Sequence, residues 1–214
     1  MRIGFFAAAA GILGFAWLGP LPELARHSFA AHMTMHIAVV AVAAPLVALS
    51  IGGTKGDPVR AMPHVMAPIP ASLIELVVVW LWHVPALHEA ARQQEAAFVL
   101  EQGSFIAAGL LLWIAAIGGN REQLRLRAGG GIAALLFTSM HMTLLGALFA
   151  LTSRPLFQHG PSASGLTAIA DQHLGGVIML LVGGASYLLG GLWLTSVILR
   201  GATVSSVGSQ ESSV

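Results

Sequence analysis

The chain contains no cysteine. That absence excludes a disulfide framework, a thiolate metal site and a cysteine nucleophile, so soft-metal chemistry has to rest on methionine and histidine. Charge is nearly as scarce, with 9% of the 214 residues charged against roughly 25% in soluble domains. The net charge is +1 and the ten Lys and Arg are dispersed, which leaves no basic patch of the size phosphate recognition requires and excludes a nucleic-acid partner. Strict apolar-polar alternation is also missing, so a membrane β-barrel is not expected.

What remains is apolar: 56% of the residues are hydrophobic, gathered into runs of the length that crosses a hydrocarbon core, roughly 20 residues each. The expected fold is all-α, a polytopic bundle of about six transmembrane helices near 3–19, 30–51, 71–88, 94–118, 130–152 and 171–199. These form a single transmembrane domain over residues 1–200, followed by a disordered tail, 201–214. The connections carry the punctuation, as in GGTKGDPVRAMPHVMAPIP and GGNREQLRLRAGG. The first run, behind Arg2, has the charge of a signal peptide but no small-x-small cleavage site, and reads as a membrane helix.

Arg2, Lys55, Arg60, Arg121, Arg125, Arg127 and Arg200 fall on one side of this layout, and Arg26, Arg92 and Arg154 on the other. The positive-inside bias puts both termini in the cytoplasm of a bacterial plasma (inner) membrane. Eight of the nine histidines then lie outside or in the outer half: His27, His32, His36, His83, His88, His141, His159 and His173. Only His64 does not. Histidine inside a membrane is costly unless it faces a partner, water or the bundle interior, so a shared outward layer points to function.

The stretch HMTMH holds four soft donors in five residues. Helical phase puts His32, Met35 and His36 on one face and turns Met33 about 100° away from His32, toward packing. Pro85 interrupts the helix after His83 and leaves His88 and Glu89 at the interface. His141 stands between Met140 and Met142, and His173 enters just below Asp171, a candidate helix N-cap. Glu101, beside Gln102, is placed to pair with the imidazole layer, whereas Glu75 is expected to snorkel to the inner interface. The glycine pairs at 175/176, 183/184 and 190/191 make a smooth stripe for close helix packing.

HMTMHIAVVAVAAPLVALS, WHVPALHEAA, HMTLLGALFALTSRPLF and DQHLGGVIM together resemble, in order, the motifs of the membrane-embedded CtaG-type cytochrome c oxidase assembly factors. The chain departs from that pattern in the fourth helix, where Phe98 and Gln102 flank Glu101. The resemblance implies an assembly factor rather than an enzyme, handling or inserting copper for a haem-copper oxidase. Its partners would be oxidase subunits, the lipid bilayer and a copper donor protein. Carried over by the motifs are His32, His36, His83, His141 and Asp171, and the full expected metal set adds Met35 and His173. Three other readings stay open. One is a b-type haem carrier with two axial imidazoles, and another a scaffold without metal. The third is a transporter or proton relay through His36, Glu101 and His141.

Overall fold

A computed structural model describes residues 1–157 and 165–211. Every regular element in them is helical: α1 (Arg2–Leu18), α2 (Leu21–Ala25), α3 (Phe29–Ile51), α4 (Pro58–Ala61), α5 (Pro68–Trp82), α6 (Pro85–Gln93), α7 (Glu95–Ile117), α8 (Arg121–Leu151) and α9 (Ala168–Arg200). The backbone of α9 is helical as far as Glu211, into the stretch expected to be a disordered tail. Four helices, α3, α7, α8 and α9, are long and apolar enough to cross a membrane, and a fifth span results if α5 and α6 count as one. The expected sixth rests on α1, a shorter apolar helix of 17 residues. Val77, Leu81, Leu144, Leu148 and Leu189 all point outward, as lipid-facing positions of a multi-pass membrane protein do.

Local chemistry explains where these helices start, bend and stop. Ser28 caps α3, its side chain accepting from Ala31 N at 3.1 Å. Pro45 cannot donate to Ala41 and its ring crowds that carbonyl, and the turns just before it, Ala38–Ala43, are wound as a π-helix. The loosened carbonyls find side chains: Ser186 Oγ donates to Ala41 O at 2.5 Å and Trp113 Nε1 to Val40 O at 3.1 Å. A second π-helical stretch, Met179–Gly183, interrupts α9.

The single helix expected over 71–88 is two helices bent by 74°. Val84 is extended, as the residue before a proline prefers to be, and Pro85 then starts α6. The charged segment after Gly119, expected as part of a connection, is instead the start of α8. Asn120 and Gln123 form a reciprocal capping box there, and Gly131 packs close to the backbone of Ala116. At that end Asp57 accepts from Gly53 N, Val59 N and Gly119 N at 2.6–2.9 Å, tying two connections together.

The core follows the helix contacts. α9 packs along α8 so closely that a Cβ at Gly176 would lie 2.5 Å from Ala150 N, and one at Gly146 2.7 Å from Leu180 N. The expected glycine stripe is therefore a close-packing surface, backbone to backbone at Gly176 and against side chains of α3, α7 and α8 at the others. α1 lies against α3, and Trp17 Nε1 reaches across to Gln102 Oε1 on α7 at 3.1 Å. The start of α3, the end of α5, all of α6, the start of α7, the end of α8 and the start of α9 share one end of the bundle, and that end holds His32, His36, His83 and His88.

Candidate metal centre

Three helices deliver donors to one point. His32 on α3, His88 on α6 and Glu101 on α7 are all buried, and each offers a ligand atom within 4.8 Å of the other two. His32 Nε2 lies 3.3 Å from Glu101 Oε1. Both atoms are buried and make no hydrogen bond, an arrangement expected where a third party joins them. Donors held at about 2.0–2.2 Å on one tetrahedral ion stand roughly 3.4 Å apart, close to this separation. The other carboxylate oxygen is fixed: Gln102 Nε2 donates to Glu101 Oε2 at 3.1 Å, and Trp17 orients the Gln102 amide. Such supporting bonds aim a ligand before the ion arrives.

His88 reaches this point because the break at Pro85 turns α6 back over the bundle. Its ring stands edge-on to that of His32, centroids 4.6 Å apart, and Phe29 and Phe157 pack on it at 5.6 and 4.5 Å. Phe29 stacks on Phe157 at 4.6 Å, so an aromatic cover lies over His88, while His32 also lines a small cavity with Ala25, Ala91 and Phe98. Arg92, one turn beyond His88, donates to Arg26 O and to Glu89, fastening α6 to the turn before α3.

One helical turn deeper, His36 and His83 face each other with ring centroids 5.3 Å apart and Phe105 against them. His83 Nδ1 lies 2.6 Å from Val79 O. A carbonyl only accepts, so Nδ1 carries the hydrogen, and Nε2 of the neutral ring presents its lone pair. That lone pair points at Met33 Sδ, 3.4 Å away.

The remaining expected residues lie elsewhere. Met35 is buried in the apolar core. His141 is buried with both ring nitrogens lacking a hydrogen bond and packs against Phe137 of its own helix. His173 Nε2 donates to Thr152 O at 2.9 Å. Asp171 is not the cap of its own helix, a role held by Thr167. It caps α3 from across the bundle, accepting from Phe29 N at 2.6 Å and Ser28 Oγ at 2.7 Å. Glu75 does not snorkel: it is fully buried and accepts from Tyr187 OH at 2.5 Å. His27 is an exposed neighbour of Glu23, and His159 lies outside the described residues.

Asp171 therefore controls where α3, and with it His32, starts. Removing a buried carboxylate that accepts two bonds costs about 2–4 kcal/mol. Asp171→Ala is expected to destabilise the protein by that amount and Asp171→Asn, which keeps one acceptor, by less. Thermal unfolding in detergent measures the difference.

Comparison with known protein families gives a match over nearly the whole chain. The model of the cytochrome c oxidase caa3 assembly factor family (Caa3_CtaG) matches residues 1–200. The chain belongs to this family. No curated protein and no solved structure gives a match. The family match spans the whole helical bundle of the assembly factor, so the His32, His88 and Glu101 cluster and the His36 and His83 pair both fall inside it.

Of the residues in the two levels, sequence reasoning reaches His32, His36 and His83, sets Glu101 beside the imidazole layer without counting it in the metal set, and leaves His88 at the interface and Met33 in the packing. The signal for His88 is Pro85, since a proline that ends a helix also redirects the chain beyond it. The signal for Met33 is its spacing of three from His36, which puts the two about 60° apart on the wheel.

Proposed function

We propose that this assembly factor handles copper for its oxidase, holding the ion as cargo between His32, His88 and Glu101. The observation that carries the reading is the meeting of three buried donors from three helices within 4.8 Å. Two imidazoles and a carboxylate suit copper, which outcompetes other divalent first-row metals for such a set. With the orientation expected from Lys and Arg, both termini face the cytoplasm and this end of the bundle faces outward, the side on which copper would be received and passed to an oxidase subunit. Close ring packing favours a small ion over a macrocycle: Phe105 sits 4.1 Å from His36, centroid to centroid, beside the His36 and His83 rings that would have to clamp a haem.

The test is metal analysis of the purified full-length protein after copper loading. Wild type is expected to retain copper, and His32→Ala combined with His88→Ala to lose the ion held at this centre. Equal copper content in both proteins, or none in wild type, would remove the site.

A further inference from the structure

The deeper pair carries a second site. We propose that Met33, His36 and His83 form a separate, softer copper site, selective for Cu(I), about one helical turn below the His32, His88 and Glu101 centre. The proposal rests on the copper-handling reading of that first centre, which it extends from one position to two.

Three observations support it. First, His83 Nε2 and Met33 Sδ approach to 3.4 Å with no hydrogen between them, because the ring hydrogen is committed to Val79 O. Two lone pairs facing each other gain nothing as a pair. On one tetrahedral ion, nitrogen and sulfur donors at about 2.0 and 2.3 Å stand roughly 3.5 Å apart, so a cation between them turns the contact into coordination. Second, His36 is fully buried and both of its ring nitrogens lack hydrogen-bond partners. Its ring lies 5.3 Å from that of His83, and it follows Met33 by three residues on the same helix. A buried polar group with neither partner costs about 1–3 kcal/mol, and a lone pair given to a metal recovers the acceptor's share of it. Third, the donor types differ between the levels. The first centre offers nitrogen and oxygen, and the second offers nitrogen and a thioether, the donor that selects Cu(I) over harder ions.

Helix α3 contributes to both, His32 to the first and Met33 with His36 to the second. At about 1.5 Å per residue, His32 and His36 are about 6 Å apart along the axis. Phe105 and Phe149 pack on the deeper rings, His36 with Phe105 at 4.1 Å and His83 with Phe149 at 5.6 Å, and keep that level dry. Burial among aromatic rings favours a monovalent ion on neutral ligands over a divalent one.

X-ray absorption of the full-length protein loaded with Cu(I) under reductant tests this directly. The chain has no cysteine, so any sulfur bound to copper comes from methionine. Wild type is expected to bind two copper ions per chain with a sulfur scatterer at one of them. Met33→Leu, close in volume and tolerated in cores, is expected to bind one ion and show no sulfur, while Met35→Leu keeps both. His88→Ala is expected to lose one ion and retain the sulfur signal. Sulfur that survives Met33→Leu, or is missing from wild type, overturns the second site, and a continued loss of one ion in His88→Ala would leave the first standing. A wild type that binds no copper overturns both.

Discussion

Cells whose only copy carries Glu101→Gln are expected to assemble far less active cytochrome c oxidase, with activity in their membranes down about tenfold or more while the variant protein accumulates normally. Glu101 is the only carboxylate of the first centre, and its Oε1 faces His32 Nε2 at 3.3 Å. Glutamine keeps the shape and the contact with Gln102 but supplies no negative charge. Even partners that merely orient a ligand are worth about 10–100-fold in metal affinity, so loss of a ligand's charge should cost at least as much. Added copper is expected to restore part of the activity, since mass action compensates for weakened binding. Full oxidase activity in Glu101→Gln cells without added copper would show that this carboxylate does not hold the cargo.

Gly176→Val is expected to be the most damaging single change outside the candidate metal centre. A side chain there meets backbone rather than a flexible tip, with Ala150 N at 2.5 Å, Gly146 O at 2.7 Å and the Phe149 carbonyl carbon at 3.0 Å. Overpacking a core costs about 1–3 kcal/mol when side chains can shift, and more is expected where two helices must separate. The histidine end would suffer with the seam, because Asp171 on the same helix positions α3. Size-exclusion chromatography in detergent should show an aggregated or expanded protein. Gly129→Val, at a position with open space around it, is the control and should remain folded.

The helical class is legible in the sequence because composition and run length decide it. The extent of α7 is legible as well, since the expected 94–118 meets Glu95–Ile117 and the apolar pattern resumes on both sides of the Glu101–Ser104 interruption. Legibility ends where punctuation and winding disagree. The glycines at 129–131 look like the end of a connection, yet they lie inside α8, one of them at a helix contact. Within the site, His32 and His36 are legible as one face of α3, but they serve two levels: His32 meets Glu101, and His36 meets His83. Phase measured from His32 alone sets Met33 aside; measured from His36, it belongs. Asp171 is legible as a helix cap, and only the fold says that the capped helix is α3. His141 and His173 share the expected depth of the layer without joining either cluster, because depth along a helix says nothing about direction around it.

The π-helical stretch of α9 acts as a vernier between two helices that count differently. Along α8 the residues facing the glycine seam recur every seven positions, at Ala150, Thr143 and Leu136. Along α9 the matching glycines are Gly176, Gly184 and Gly191, a step of eight followed by a step of seven. The longer step is the one that crosses Met179–Gly183, where wider winding turns each residue through a smaller angle. One surplus residue is absorbed there, and the glycines beyond it come back into phase with α8. The seam continues on both sides of that stretch, so the pitch of α9 there helps hold Asp171, at one end, in register with the helix that carries His32.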